Sequence, residues 1–149
     1  MRVKLIMADD IRQEASGKQT IIGLLADDTS LLPAGVFPET EPDLSRPVEL
    51  KEIAAIEQLS FMASIAELSE GEHHISWQAL TPGGQVMADS KPVDVHTTKG
   101  RSNSLVFQFK PFPVFAQGEY KIRLNVDGET IDLPFYLSAN PEDNQKPAD

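Results

Sequence analysis

Hydrophobic positions along this chain recur mostly at every second residue, the period of a half-buried strand. The clearest case is YKIRLNVDGETIDLPFYL, 120–137. Tyr120, Ile122, Leu124 and Val126 alternate with polar residues, and Ile131, Leu133, Phe135 and Leu137 alternate again after Asp127-Gly128. An Asp-Gly pair between two such runs predicts a type I′ hairpin, because both central residues need positive φ. That turn sets Leu124 opposite Ile131, Ile122 opposite Leu133 and Tyr120 opposite Phe135 on one face. On the other face Arg123 meets Asp132, an opposite-charge pair. Pro134 cannot donate to a ladder and is expected where its strand lacks a partner or bulges.

The same alternation runs through QLSFMASIAEL (58–68), HHISWQALTPGGQVMA (73–88, turning at TPGG) and SLVFQF (104–109). The opening stretch alternates Val3, Leu5 and Met7, turns near Ser16-Gly17, and continues as QTIIGLLA. Two regions break the pattern. Residues 33–47 hold prolines at 33, 38, 42 and 47 and predict a loop. VELKEIAAIE, 48–57, spaces Leu50, Ile53, Ala54 and Glu57 as a short helix would. KPFPVFAQGEY, 110–120, reads as a proline-punctuated connection, and its GEY is similar to the corner before a late strand in many sandwiches. From 139 the chain turns polar and predicts a disordered tail. Short strands with turns between them predict one antiparallel β-sandwich domain over 1–138, with about seven to nine strands.

The formal net charge of −10 argues against binding a phosphate backbone, since the few lysines and arginines form no stripe. No apolar run approaches the roughly 20 residues of a membrane helix. The chain has no cysteine, which excludes disulfides and thiolate chemistry and fits a reducing compartment. A cytoplasmic protein is the expectation.

Candidate chemistry is sparse. Asp9-Asp10 and Asp27-Asp28 repeat as ADD. With a turn at 16–17, Asp9 would face Leu24, Asp10 would face Gly23 and Asp27 would face Ile6. That displaces the pairs by roughly 10–13 Å along the ladder, too far to share one ion. A strand leaving the ladder near Ala26 would instead carry Asp27-Asp28 onto a loop. A calcium- or small-ligand site built from Asp9, Asp10, Asp27, Asp28 or Asp127 is the alternative reading. His73 and His74 are adjacent in a strand and point apart, and His96 stands alone, so no metal-ligand spacing appears. There is no nucleophile elbow and no phosphate loop. Trp77, in step with Ile75 and Ala79, reads as core rather than as a sugar platform. The aromatics Phe112 and Phe115, three apart and so unable to share a face of a regular strand, are candidate partner anchors, together with Phe37 in the proline-rich loop. The competing reading folds Phe112 and Phe115 into the sandwich edge.

The stretches VKLIMADDIRQEASGKQTIIGLLAD, VFPET, HHISWQALTPGGQVM and PFPVFAQGEYKIRLNVDGETIDLPFYL resemble a family of uncharacterised bacterial proteins known as a domain of unknown function. The resemblance covers 1–37 and 58–138 and departs at 39–57. It implies an immunoglobulin-like or similar sandwich in a small, single-domain intracellular protein; it implies no activity and offers no site residues, and no cofactor is expected. The expected function is non-enzymatic: binding a protein partner, or self-association.

Overall fold

The structure is a computed structural model that describes residues 1–16 and 18–141. It is built of strands: β1 (Arg2–Gln13), β2 (Gln19–Leu24), β3 (Thr29–Leu32), β4 (Ala55–Ile56), β5 (Leu59–Ala66), β6 (Gly71–Leu80), β7 (Val86–Asp89), β8 (Val93–Thr97), β9 (Asn103–Phe109), β10 (Phe112–Pro113), β11 (Gly118–Val126) and β12 (Glu129–Ala139). One sheet has the order β2-β1-β5-β9. A second runs β3-β12-β11-β6-β7, with β8 also on β6, and β4 pairs with β10 as a separate two-stranded ribbon. All pairings are antiparallel except β3 with β12. No helix among the described residues is long and apolar enough to cross a membrane.

The two sheets bury most of their facing positions in one main core, with Ile65, Ile75, Leu124 and Val126 as a second cluster. Leu5, Met7, Leu59, Phe61 and Ala63 from the first meet Ala79, Tyr120, Ile122, Leu133, Phe135 and Leu137 from the second. Phe61 touches Phe135 at a centroid distance of 4.8 Å, inside the range of favourable edge contacts. Trp77 lies in this packing, stacked on Phe107 at 4.4 Å, as its alternation with Ile75 and Ala79 requires.

The β11–β12 hairpin takes the register its pattern predicts. Leu124 pairs with Ile131, Ile122 with Leu133, Tyr120 with Phe135, and Arg123 with Asp132. Asp127 and Gly128 both have positive φ, 52° and 87°. The Arg123 guanidinium reaches both oxygens of Asp132, at 2.8 and 3.1 Å. Pro134 sits before β3 begins, since β3 pairs only with Tyr136–Ala139.

Three expectations need correction. The β1–β2 turn is centred on Ser16, with Glu14 N donating to Lys18 O, and pairs Ala8 with Leu24 and Asp10 with Ile22. Asp9 therefore lies opposite Gly23, one residue from its expected register. The short helix expected over 48–57 is a single 3-10 turn, Leu50–Glu52, followed by β4. Tertiary pairing overrides its helical spacing: Ala54 O accepts from Val114 N at 2.8 Å, and Ile56 packs against the core opposite Phe112. The disordered tail is expected from 139, but Ala139 and Asn140 are ordered. Ala139 pairs with Leu32 and Asn140 N donates to Leu32 O, while residues 142–149 lie outside the described residues.

Candidate functional site

The aromatic anchors do not form. Phe112 is fully buried, and its ring meets Phe109, Tyr120 and Phe135 at 5.1, 5.7 and 5.9 Å. Phe115 is buried as well, because regular pairing stops after Pro113 and the backbone turns both rings inward. A partner surface made of Phe112 and Phe115 is therefore absent from this fold. Phe37 packs partly against the core and borders a depression of about 280 Å³ with Pro38, Ile53 and Val114.

The acid pairs occupy separate depressions, Asp9-Asp10 beside Ile56–Gln58 and Asp27-Asp28 beside Lys4 and Ile6. Asp10 is bound by Arg12 at 2.7 Å and by the amides of Gln58 and Gln108, and these donors hold its carboxyl below the usual range. Burial, and then the neighbouring Asp27 charge, push Asp28 up, while Lys4 opposes. Among the described residues no three histidine or acidic side chains are grouped to hold a metal ion.

The histidines separate as strand geometry requires, His73 buried and His74 exposed. His73 Nδ1 is 2.5 Å from Asp127 Oδ2, and Nε2 is 2.7 Å from Ser69 O. With Asp127 ionised both partners are acceptors, so the protonated ring, with two N–H groups, is the form that satisfies both. The Ser69 carbonyl first, then Asp127, raise its pKa above the ordinary value. Asp127 also accepts from His74 N at 2.8 Å, and its own pKa is lowered, by that bond first and by His73 next. The arrangement ties the β11–β12 turn to β6. His74 pairs with Asp94, and His96 with Glu72 at 2.9 Å, both on exposed side chains.

The feature that sequence reasoning missed is a slot between the two sheets. It has a volume of about 470 Å³ and is lined by Val3–Ile6 of β1, Leu24–Asp28, and Leu133-Pro134 of β12. Two strands border it with unpaired edges. On that side β1 meets β2 only from Ala8 onward, and β12 meets β3 only from Tyr136 onward. Two core residues, Leu5 and Leu133, form part of its floor. Leu24, 64 % exposed, stands at its wall.

One end of the slot is the crossing from β2 to β3. Here Asp27 and Asp28 both take left-handed conformations, φ 54° and 50°. Two consecutive non-glycine residues in that region cost free energy, and aspartate is among the few side chains that tolerate it. The turn carries the chain from one sheet to the other, and so leaves both edges bare. The ADD break and Pro134 were the signals available in the sequence. Each marked the end of a pairing, but neither showed that the two ends coincide. No protein-family model and no curated protein matches this chain.

Proposed function

We propose that this chain is a non-enzymatic, immunoglobulin-like β-sandwich that acts by binding a protein segment. The immunoglobulin-like assignment is supported by strand order. β1, β5 and β9 occupy the places of strands A, B and E, and β6, β11 and β12 those of C, F and G. Trp77 lies on the strand in the C position, packed in the core. The Tyr120 hydroxyl accepts from Ala116 N at 2.9 Å and donates to Ala116 O at 2.7 Å, the geometry of a tyrosine corner. In this proposal the chain belongs with the uncharacterised bacterial family that the quoted stretches resemble, and it works in the cytoplasm.

The observation that carries the binding reading is the slot. An unpaired strand edge over exposed apolar surface is a template for another chain, and a stable monomer normally blunts or covers it. The test is affinity capture of the tagged full chain from its native lysate, run beside Leu24→Lys. A protein recovered by the wild type and lost with the variant is the expected result. Equal recovery by both, or recovery by neither, overturns it.

A further inference from the structure

We infer that the slot takes an extended, basic peptide segment, which adds to β1 as a strand along Arg2–Ile6. This rests on the binding reading above and goes further, naming the edge, the binding mode and the chemistry of the partner. The edge follows from hydrogen-bond direction. Leu25 N donates to Met7 O at 2.9 Å, so Met7 presents its backbone groups toward β2. Residues two apart in an antiparallel strand face the same way. Leu5 and Val3 therefore aim their N–H and C=O groups into the slot, where β2 no longer runs. The opposite wall serves less well. Pro134 has no N–H, and its position in the β11 ladder beside Lys121 suits a residue whose nitrogen faces outward. Of the two free edges, β1 is the one with its full set of donors and acceptors.

The space left is the lane that β2 vacates. Arg2–Ile6 offers an edge of about 17 Å at strand rise. A strand laid there would point alternate side chains onto Leu5 and Leu133, replacing solvent over the core, and the others past Leu24 and Ile6. The partner's charge follows from the surroundings. Asp27 and Asp28 stand at one end of the lane; Lys4 lies along it, and Arg2 at the other end is paired with Glu67. The chain as a whole carries −10. That field draws in a cationic segment and disfavours a second copy of the same chain.

The probe is a displayed library of random linear peptides, selected on the intact chain. Selected peptides should alternate apolar residues with lysine or arginine. Their binding should weaken about threefold in Asp27→Asn/Asp28→Asn, the size of one or two exposed ion pairs, and vanish in Leu24→Lys. Bound peptide should slow amide hydrogen exchange at Val3 and Leu5, the readout that identifies strand addition. Selection of acidic peptides, protection elsewhere with Val3 and Leu5 unchanged, or an empty selection overturns the inference. So does a concentration-dependent dimer that Leu24→Lys abolishes, since the occupant would then be a second copy. If native capture still recovers a partner sensitive to Leu24→Lys, the binding reading survives and only strand addition by a basic segment falls.

Discussion

The two hairpins at opposite ends of the chain differ in what their sequences specify. β11–β12 is pinned three times: by Asp127-Gly128 at the turn, by the apolar pairs on the inner face, and by Arg123 with Asp132 on the outer face. A slip of one residue would expose Tyr120 and Phe135 and separate the charges. β1–β2 has no such agreement. β2 reads QTIIGL, without charge or clear alternation, and Ile21, Ile22 and Leu24 are exposed. Its turn has no strong type signal, and its true register lies one residue from the expected one. A strand with no buried face is held weakly in register, and such a strand is free to end early. The bare edge of β1 and the slot follow from that early end.

The largest test of this contrast replaces one apolar residue on each hairpin. Phe135→Ala should destabilise the protein by about 3–5 kcal/mol, as for other buried aromatics. Leu24→Ala should stay within about 0.5 kcal/mol. Denaturant titration measures both, and comparable losses would abolish the distinction.

Tyr120→Phe tests the corner that orients β11. It leaves the Ala116 N–H and carbonyl without the phenol and should cost about 1–3 kcal/mol. A loss smaller than that of a surface substitution would show the corner to be dispensable.

Gly23→Ala tests the one point where β2 is constrained. Gly23 has φ 68°, and an added Cβ would come 2.2 Å from Asp9 Oδ2. The exposed Asp9 carboxylate can swing aside, so the backbone strain dominates, about 1–2 kcal/mol. Gly128, at φ 87° with open space around it, should cost a similar amount on changing to alanine. A much larger loss at Gly23 would mean that Asp9 is held in place by something beyond its visible contacts.

The smallest effect is confined to a pH window. His73 has a raised pKa, so its contribution is complete below about pH 6.5, its unfolded value, and is lost as pH rises through the higher folded value. Asp127 has a lowered pKa, so its contribution is present above about pH 3.9 and is lost as pH falls through the lower folded value. The pair therefore stabilises the β11–β12 turn most between these limits. Asp127→Asn keeps an acceptor for His74 N and tolerates positive φ. Its melting temperature should fall furthest below wild type from about pH 4 to 6.5, and the gap should narrow without closing at higher pH, because the charged acceptor of the His74 N–H remains. A gap constant across pH would remove the charge from the explanation.

Much of the fold was legible because strand alternation is a local property. Burial on one face must repeat every second residue, and β11 and β12 follow that rule along their length, whereas β5 is buried on both faces from Leu59 to Ala63. The divergence of His73 from His74 and the core position of Trp77 follow from the same period. The segment 48–57 was not legible, and 110–115 allowed two readings, a surface anchor or both rings folded into the sandwich edge, of which the second is the one observed. Leu50, Ile53, Ala54 and Glu57 are spaced as in a helix, and Phe112 and Phe115 suit a surface anchor as well as a buried edge. Both segments are decided by each other, through Phe112 with Ile56 and Val114 N with Ala54 O, partners more than fifty residues apart in the chain.

The sequence by itself determined that the protein is all-β, where most strands run, and how the final hairpin is registered, since each depends on neighbours within a few residues. Only the tertiary structure decided which strands border which. The slot exists because β2 stops at Leu24 on one sheet and β3 starts at Thr29 on the other, leaving Val3–Ile6 and Leu133-Pro134 face to face. An unpaired edge is defined by a strand that is not there, and no residue on β1 encodes that absence.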